Sequence, residues 1–155
     1  MLDIEQFIRS YADADFREIE FYWNGKLGDD FEDLNMEFRI RVCEYLVKDF
    51  SIAPDQLILD LYQELSKSAK ETWGVYQHYH LFAQEILNRG RTKYLLNYLQ
   101  GASQSFDTRL ASGRIKLTDE EKLEILDYVA VQMADPANAE YTAYFEWAQE
   151  RFVVQ

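Results

Sequence analysis

Residues 54–65, PDQLILDLYQEL, carry the pattern that decides the fold class of this chain. Apolar side chains recur there at steps of three and four residues, which is the spacing of one face of an α-helix. Pro54 suits the first helical position, because its fixed φ is already helical and its missing N–H would have no partner there. The stretch therefore predicts a helix that ends near residues 66–68 and buries one face. That face consists of Leu57, Ile58, Leu61, Tyr62 and Leu65.

The same spacing continues through most of the chain and predicts six more helices. The clearest start is Thr118, where Glu121 completes a capping box. Gly90 is predicted to end a helix in the left-handed conformation, and Gly101 indicates a bend or a close contact inside a helix. The six predicted helices cover residues 4–23, 31–50, 73–90, 92–113, 118–133 and 136–152.

Length and composition set the scale of the fold. A chain of 155 residues with 48% hydrophobic residues, 3 Trp, 11 Tyr and 10 Phe can bury a substantial core. The short connections between the predicted helices favour antiparallel neighbours. We therefore expect an all-α protein, with six or seven helices in a bundle or a short stack of antiparallel helical hairpins. Residues 1–155 are expected to form one domain.

The charge balance indicates the kind of partner. The chain has 28 acidic and 16 basic residues, for a net charge of -12. Residues 1–50 carry 13 acids and 6 bases, residues 51–100 carry 5 and 5, and residues 101–155 carry 10 and 5. Such a charge repels nucleic acids and anionic membranes, and it attracts basic proteins. We therefore expect a basic protein partner, and neither nucleic acid nor membrane.

Cysteine content and hydropathy point to the cytoplasm. Cys43 is the only cysteine, so no disulfide can form within the chain, and we expect a buried structural thiol. The acidic first residues do not resemble a signal peptide. No apolar run reaches the ~18 residues that a membrane-spanning helix needs.

One acidic motif and one pair of histidines are the candidates for metal binding or catalysis in the sequence. Residues 29–33 read D-D-x-x-D, a carboxylate pattern that can hold Mg²⁺, but the longer helical chain and the second acidic motif that go with it are missing. His78 and His80 are two residues apart, which directs them to different sides of a helix rather than to one metal ion. An acidic helix start and two partly buried histidines are the preferred interpretations. We predict no metal, no cofactor and no enzymatic activity.

The densest acidic segment is residues 13–37, in which aromatic residues alternate with carboxylates. Carboxylates can steer a basic partner, and aromatic side chains commonly supply the strongest contacts at protein interfaces. The plainer alternative is a solvated face that keeps the protein in solution. The predicted partner-binding residues are Asp13, Asp15, Glu18, Tyr22, Trp23, Asp29, Asp30, Glu32, Asp33 and Glu37.

In size, helicity, cytoplasmic profile and this acidic-aromatic segment, the chain resembles the small acidic helical immunity proteins of bacteria. The resemblance implies a non-catalytic inhibitor that binds a basic cognate toxin, often a nuclease. It implies a mechanism of occlusion, in which the carboxylates of residues 29–33 lie in or beside the toxin's nucleic-acid site. Tyr22 and Trp23 would bury against the toxin.

Two other function classes remain open at this point. The first is a small-molecule sensor or an enzyme whose site lies between helices, lined by Trp73, Tyr76, His80 and Gln84. An ordinary aromatic core produces the same pattern. The second is an adaptor subunit of a larger cytoplasmic assembly.

Overall fold

A computed structural model of the chain describes residues 3–72 and 74–155. Within these residues the secondary structure is helical, and the all-α prediction is confirmed. The described residues form eight α-helices and four 3₁₀ segments, so the expected six or seven helices is slightly low. The α-helices are α1 (Ile4–Arg9), α2 (Met36–Lys48), α3 (Asp55–Glu71), α4 (Tyr79–Gly90), α5 (Leu95–Ala102), α6 (Phe106–Ser112), α7 (Asp119–Ala134) and α8 (Thr142–Arg151). The 3₁₀ segments are Asp13–Glu18, Gly28–Asp30, Phe50–Ile52 and Pro136–Tyr141.

Helix α3 lies at the centre of the molecule. It packs against α4, α5 and α6, while α7 and α8 pack on each other and α8 reaches the core through α5. Helices α1 and α2 form a further pair. One cluster of buried apolar side chains includes residues from each of these helices except α6. No helix among the described residues is both long and apolar enough to cross a bilayer.

Two helix starts follow directly from the sequence. Pro54 is the N-cap of α3, one position before its predicted place, with φ of -66°. At α7, the Thr118 hydroxyl accepts from the Glu121 backbone N–H at 3.1 Å, and the Glu121 carboxylate accepts from the Thr118 N–H at 3.2 Å. The predicted capping box is therefore confirmed, and it satisfies two N–H groups that the helix leaves unpaired.

The predicted helix over residues 92–113 is divided in two. Ser105 caps α6 by accepting from the Thr108 N–H, and the Thr108 hydroxyl accepts from the Ser105 N–H in return. This local capping ends α5 at Ala102, because a serine that caps a new helix has non-helical backbone angles. Gly90 is still helical, and Arg91 takes the positive φ of 38° in its place, which corrects the prediction for Gly90.

The close contact expected at Gly101 is present. A Cβ at this position would lie 2.3 Å from Cε1 of Tyr62 and 2.9 Å from Oγ of Ser66. Both neighbours are held in place, because the Tyr62 hydroxyl donates to the Tyr98 carbonyl at 2.7 Å and Ser66 donates to the Tyr62 carbonyl at 2.7 Å. Glycine at 101 therefore lets α5 approach α3 over a buried layer of stacked tyrosines.

The N-terminal third differs most from the sequence prediction. Helix α1 ends at Arg9 instead of reaching residue 23, and α2 begins at Met36 instead of residue 31. Between them, the apolar side chains of Phe16 and Ile19 face the core from the end of a 3₁₀ segment, whose three-residue period also fits their spacing. Residues 20–35 are largely irregular.

We expect Gly101→Ala to lower the free energy of unfolding by about 1–3 kcal/mol, because the added methyl overlaps fixed neighbours. This loss outweighs the gain of about 1 kcal/mol in helix propensity that the same change brings in an open helix. Urea unfolding followed by circular dichroism measures the effect. Gln100→Ala, on the same helix but only half-buried, is the control. An unchanged or higher stability for Gly101→Ala would contradict the tight contact.

Candidate functional site

A buried ion pair anchors the irregular segment, residues 20–35. The guanidinium of Arg39, on α2, lies 2.5 Å from the Asp33 carboxylate, and both side chains are almost fully buried, at 1% and 0% exposure. Arg39 also donates to the carbonyls of Ile19 and Glu20 at 3.4 and 3.2 Å. The second Asp33 oxygen accepts from the N–H of Tyr22 at 3.2 Å. One charged pair thus binds α2 to both ends of the segment.

Residues 21–35, called the acidic loop from here on, fold back on themselves. Trp23 and Asp33 form an antiparallel bridge, the Asn24 N–H donates to the Glu32 carbonyl at 2.9 Å, and the Leu34 N–H donates to the Tyr22 carbonyl at 3.2 Å. Successive side chains in such a pairing point to opposite sides. Asp33 therefore points inward, while Glu32 and Leu34 are exposed.

Two asparagines fix the rest of the acidic loop. The Asn24 side chain donates to the Asp30 carbonyl at 2.7 Å and accepts from the backbone N–H groups of Lys26 and Glu32. The Asn35 side chain donates to the carbonyls of Arg17 and Glu20 at 2.8 and 3.0 Å. Backbone groups that would otherwise lack partners in an irregular segment are therefore bonded internally.

The acidic loop is also tied to the central helix. The Phe21 N–H donates to the Glu64 carboxylate of α3 at 3.0 Å, and Glu64 is buried and pairs with Lys67 at 2.7 Å. The Phe21 ring stacks on Trp23, with ring centroids 5.9 Å apart, and the Trp23 indole N–H donates to the Lys26 carbonyl. These contacts hold the loop in one position on the core.

The structure separates the predicted partner-binding residues into three groups. Asp33 is buried in its ion pair and cannot meet a partner in this conformation, which corrects its place in the predicted surface. Asp15 accepts from the Ala12 N–H, and Glu18 lies 3.7 Å from exposed Arg17; both acids are half-buried, as is Trp23. The exposed members are Asp13, Tyr22, Asp29, Asp30, Glu32 and Glu37.

Exposed apolar side chains accompany these carboxylates. Tyr22, Leu27, Leu34 and Met36 are among the ten large apolar residues that are exposed in the described part of the chain, so four of the ten fall within residues 22–36. Tyr22 and Leu27 are each 54% exposed, and Leu34 is 62% exposed. Exposed apolar side chains accompanied by polar residues are typical of protein interaction sites.

A groove extends this surface to α6. Leu27 and Phe106 line the same groove of about 270 Å³, together with the C-terminal end of α3. Phe106 is 78% exposed, and Leu110, one turn later on α6, is 66% exposed. The sequence prediction missed Phe106, because it included this residue in one longer helix over residues 92–113. The capping pair of Ser105 and Thr108 is the sequence signal that a separate helix, α6, begins at Phe106.

Two of the four side chains suggested for a pocket between helices, Tyr76 and Gln84, form hydrogen bonds within the protein. Trp73 lies outside the described residues. The Tyr76 hydroxyl donates to Glu44, and the Gln84 side chain both donates to the Lys116 carbonyl and accepts from the Lys116 N–H. His80 is half-buried, and burial, with smaller effects from Arg114 and His78, lowers its pKa. Within residues 3–72 and 74–155, no group of three or more metal-ligating side chains is arranged to hold a metal ion.

Comparison of the chain with protein-family models, with curated proteins and with solved structures finds no match.

Asp33→Asn is expected to destabilise the protein by about 3–5 kcal/mol, because it leaves the charge of Arg39 buried without a counter-charge. Hydrogen exchange should accelerate first in residues 21–35. Urea unfolding and exchange measured by mass spectrometry test both effects.

Asp30→Asn is the matched control, since Asp30 is exposed in the same loop. Its stability should stay within about 0.5 kcal/mol of the parent. Equal stabilities for the two variants would show that the Asp33–Arg39 pair does not hold the acidic loop.

Proposed function

We propose that this chain is a non-catalytic inhibitor that binds a basic protein through the acidic loop, in the manner of an immunity protein that neutralises a cognate toxin. The observation that carries the proposal is the fixed display of exposed carboxylates and exposed apolar side chains on the acidic loop. The proposed contact residues are Tyr22, Trp23, Leu27, Asp29, Asp30, Glu32, Leu34 and Phe106.

Rigidity supports a binding role for this surface. Apart from one short 3₁₀ segment and one antiparallel bridge, residues 21–35 have no regular secondary structure, and buried charges and asparagine side chains hold them in place. A loop that is already ordered loses less conformational entropy when it binds. Breaking so many polar contacts is costly, so the loop should keep its shape between free and bound states.

The mixture of side chains supports a protein partner. Within residues 13–37 there are nine acids and two bases, and the exposed acids share this segment with the exposed side chains of Tyr22, Leu27 and Leu34. Apolar and aromatic centres with charged rims are the usual anatomy of protein interfaces. Carboxylates favour association with a basic surface and resist contact with phosphates. A nuclease toxin, whose own site attracts phosphates, fits this surface.

A tagged pull-down from native lysate, washed at moderate and at high salt, identifies the partner. We expect one basic protein in a stoichiometric complex, and the purified chain should abolish that protein's toxic activity. A partner that binds but keeps its activity would contradict inhibition and favour the adaptor alternative. Binding only to nucleic acid would contradict the proposal as a whole.

Triple reversal of Asp29, Asp30 and Glu32 to lysine should slow association with that partner by about tenfold or more and reduce its salt dependence, because steering depends on local charge. Surface plasmon resonance at several salt concentrations measures both. Reversal of Asp127, Glu140 and Glu146, which are exposed elsewhere, changes net charge equally and serves as the control. Equal effects from both variants would remove the acidic loop from the interface.

A further inference from the structure

A second cavity lies on a different part of the molecule, between the loop that joins α6 to α7 and the end of α8. Its volume is about 280 Å³. The lining residues are Ile115, Lys116, Leu117, Lys122, Arg151 and Phe152. All three charged residues in this lining are cations, in a chain whose net charge is -12.

The cations of this cavity are not neutralised by neighbouring acids. None of Lys116, Lys122 and Arg151 forms an ion pair with a carboxylate in the described ranges. Two of the acids near Lys122 in sequence, Glu121 and Glu124, pair with Arg91 instead, at 3.1 and 3.2 Å.

The walls of the cavity are held in position before any ligand binds. Both backbone groups of Lys116 are bonded to the Gln84 side chain of α4, at 2.6 and 3.0 Å. The Arg151 guanidinium donates to the Gly113 carbonyl at 2.7 Å and packs 5.6 Å from the Phe152 ring centroid. Its Nε is buried and has no acceptor among the described residues. Arginine offers five N–H donors, so this fixed group retains capacity to bind an anion.

We infer that this cavity binds a small phosphate monoester with an apolar substituent. The phosphoryl group would be held by Lys116, Lys122 and Arg151, because a compact dianion matches several cations that line one cavity. The apolar substituent would lie against Ile115, Leu117 and Phe152. The cavity volume of about 280 Å³ is just below the range usual for drug-sized ligands, which fits a small phosphate monoester. The site is independent of the acidic loop and of the proposed inhibitor function.

Phenyl phosphate is the probe, titrated into the purified full chain by calorimetry and by NMR. We expect saturable binding, with amide shift changes confined to residues 113–122 and 151–152. Phenol, which lacks the phosphoryl group, should not bind. Succinate, a dicarboxylate, should bind more weakly, and equal or tighter binding of succinate would overturn the assignment to phosphate monoesters.

Lys116→Gln/Lys122→Gln should weaken phenyl phosphate binding about tenfold or more, because two charged contacts are lost. The double variant keeps Arg151, whose loss would also remove the bond to Gly113. Lys48→Gln/Lys70→Gln, two exposed lysines outside this lining, removes the same charge and should change the affinity less than about twofold. No saturable binding, equal losses in both variants, or shift changes located elsewhere would overturn the inference.

Discussion

The ion pair between Asp33 and Arg39 is the constraint on which the candidate surface depends. Burying two charges costs several kcal/mol per ion before their mutual attraction is counted, and a pair is favourable only when its remaining hydrogen-bonding groups are also satisfied. Here the backbone of residues 19–22 and Asn35 supplies most of those partners. Burial of this ion pair is therefore favourable only when residues 19–35 are folded as observed. The same arrangement leaves the side chains of Tyr22, Glu32 and Leu34 exposed.

The sequence predicted the parts of the fold whose signals are local. Pro54 and the apolar face of α3, and the capping box of α7, are set by residues within one or two helical turns, and the structure has both helices. Residues 10–23 and 31–35 were predicted as helix because their apolar spacing also suits a helix. Their actual conformation is decided by contacts far apart in sequence, such as Glu64 with Phe21 and Arg39 with Ile19.

The same distinction applies to the candidate site. Its charge could be predicted from the sequence, because counting acids over residues 13–37 needs no fold. Which acids are exposed could not be predicted, because side chains return to the same face about every 3.6 residues in a helix but about every two residues in an extended strand. Asp33 was assigned to the surface for this reason. The contribution of Phe106 was missed because it depends on where α6 begins and on Leu27, which is distant in sequence.

We propose that the acidic loop, held in one shape, is the surface that meets a basic protein partner. Hydrogen exchange of the chain, free and in complex with the partner that it retains, would show which residues the partner covers. We predict new protection in residues 21–35 and at the start of α6, with little change in α7. Protection confined to α7 and α8, with unchanged exchange in the acidic loop, would contradict it.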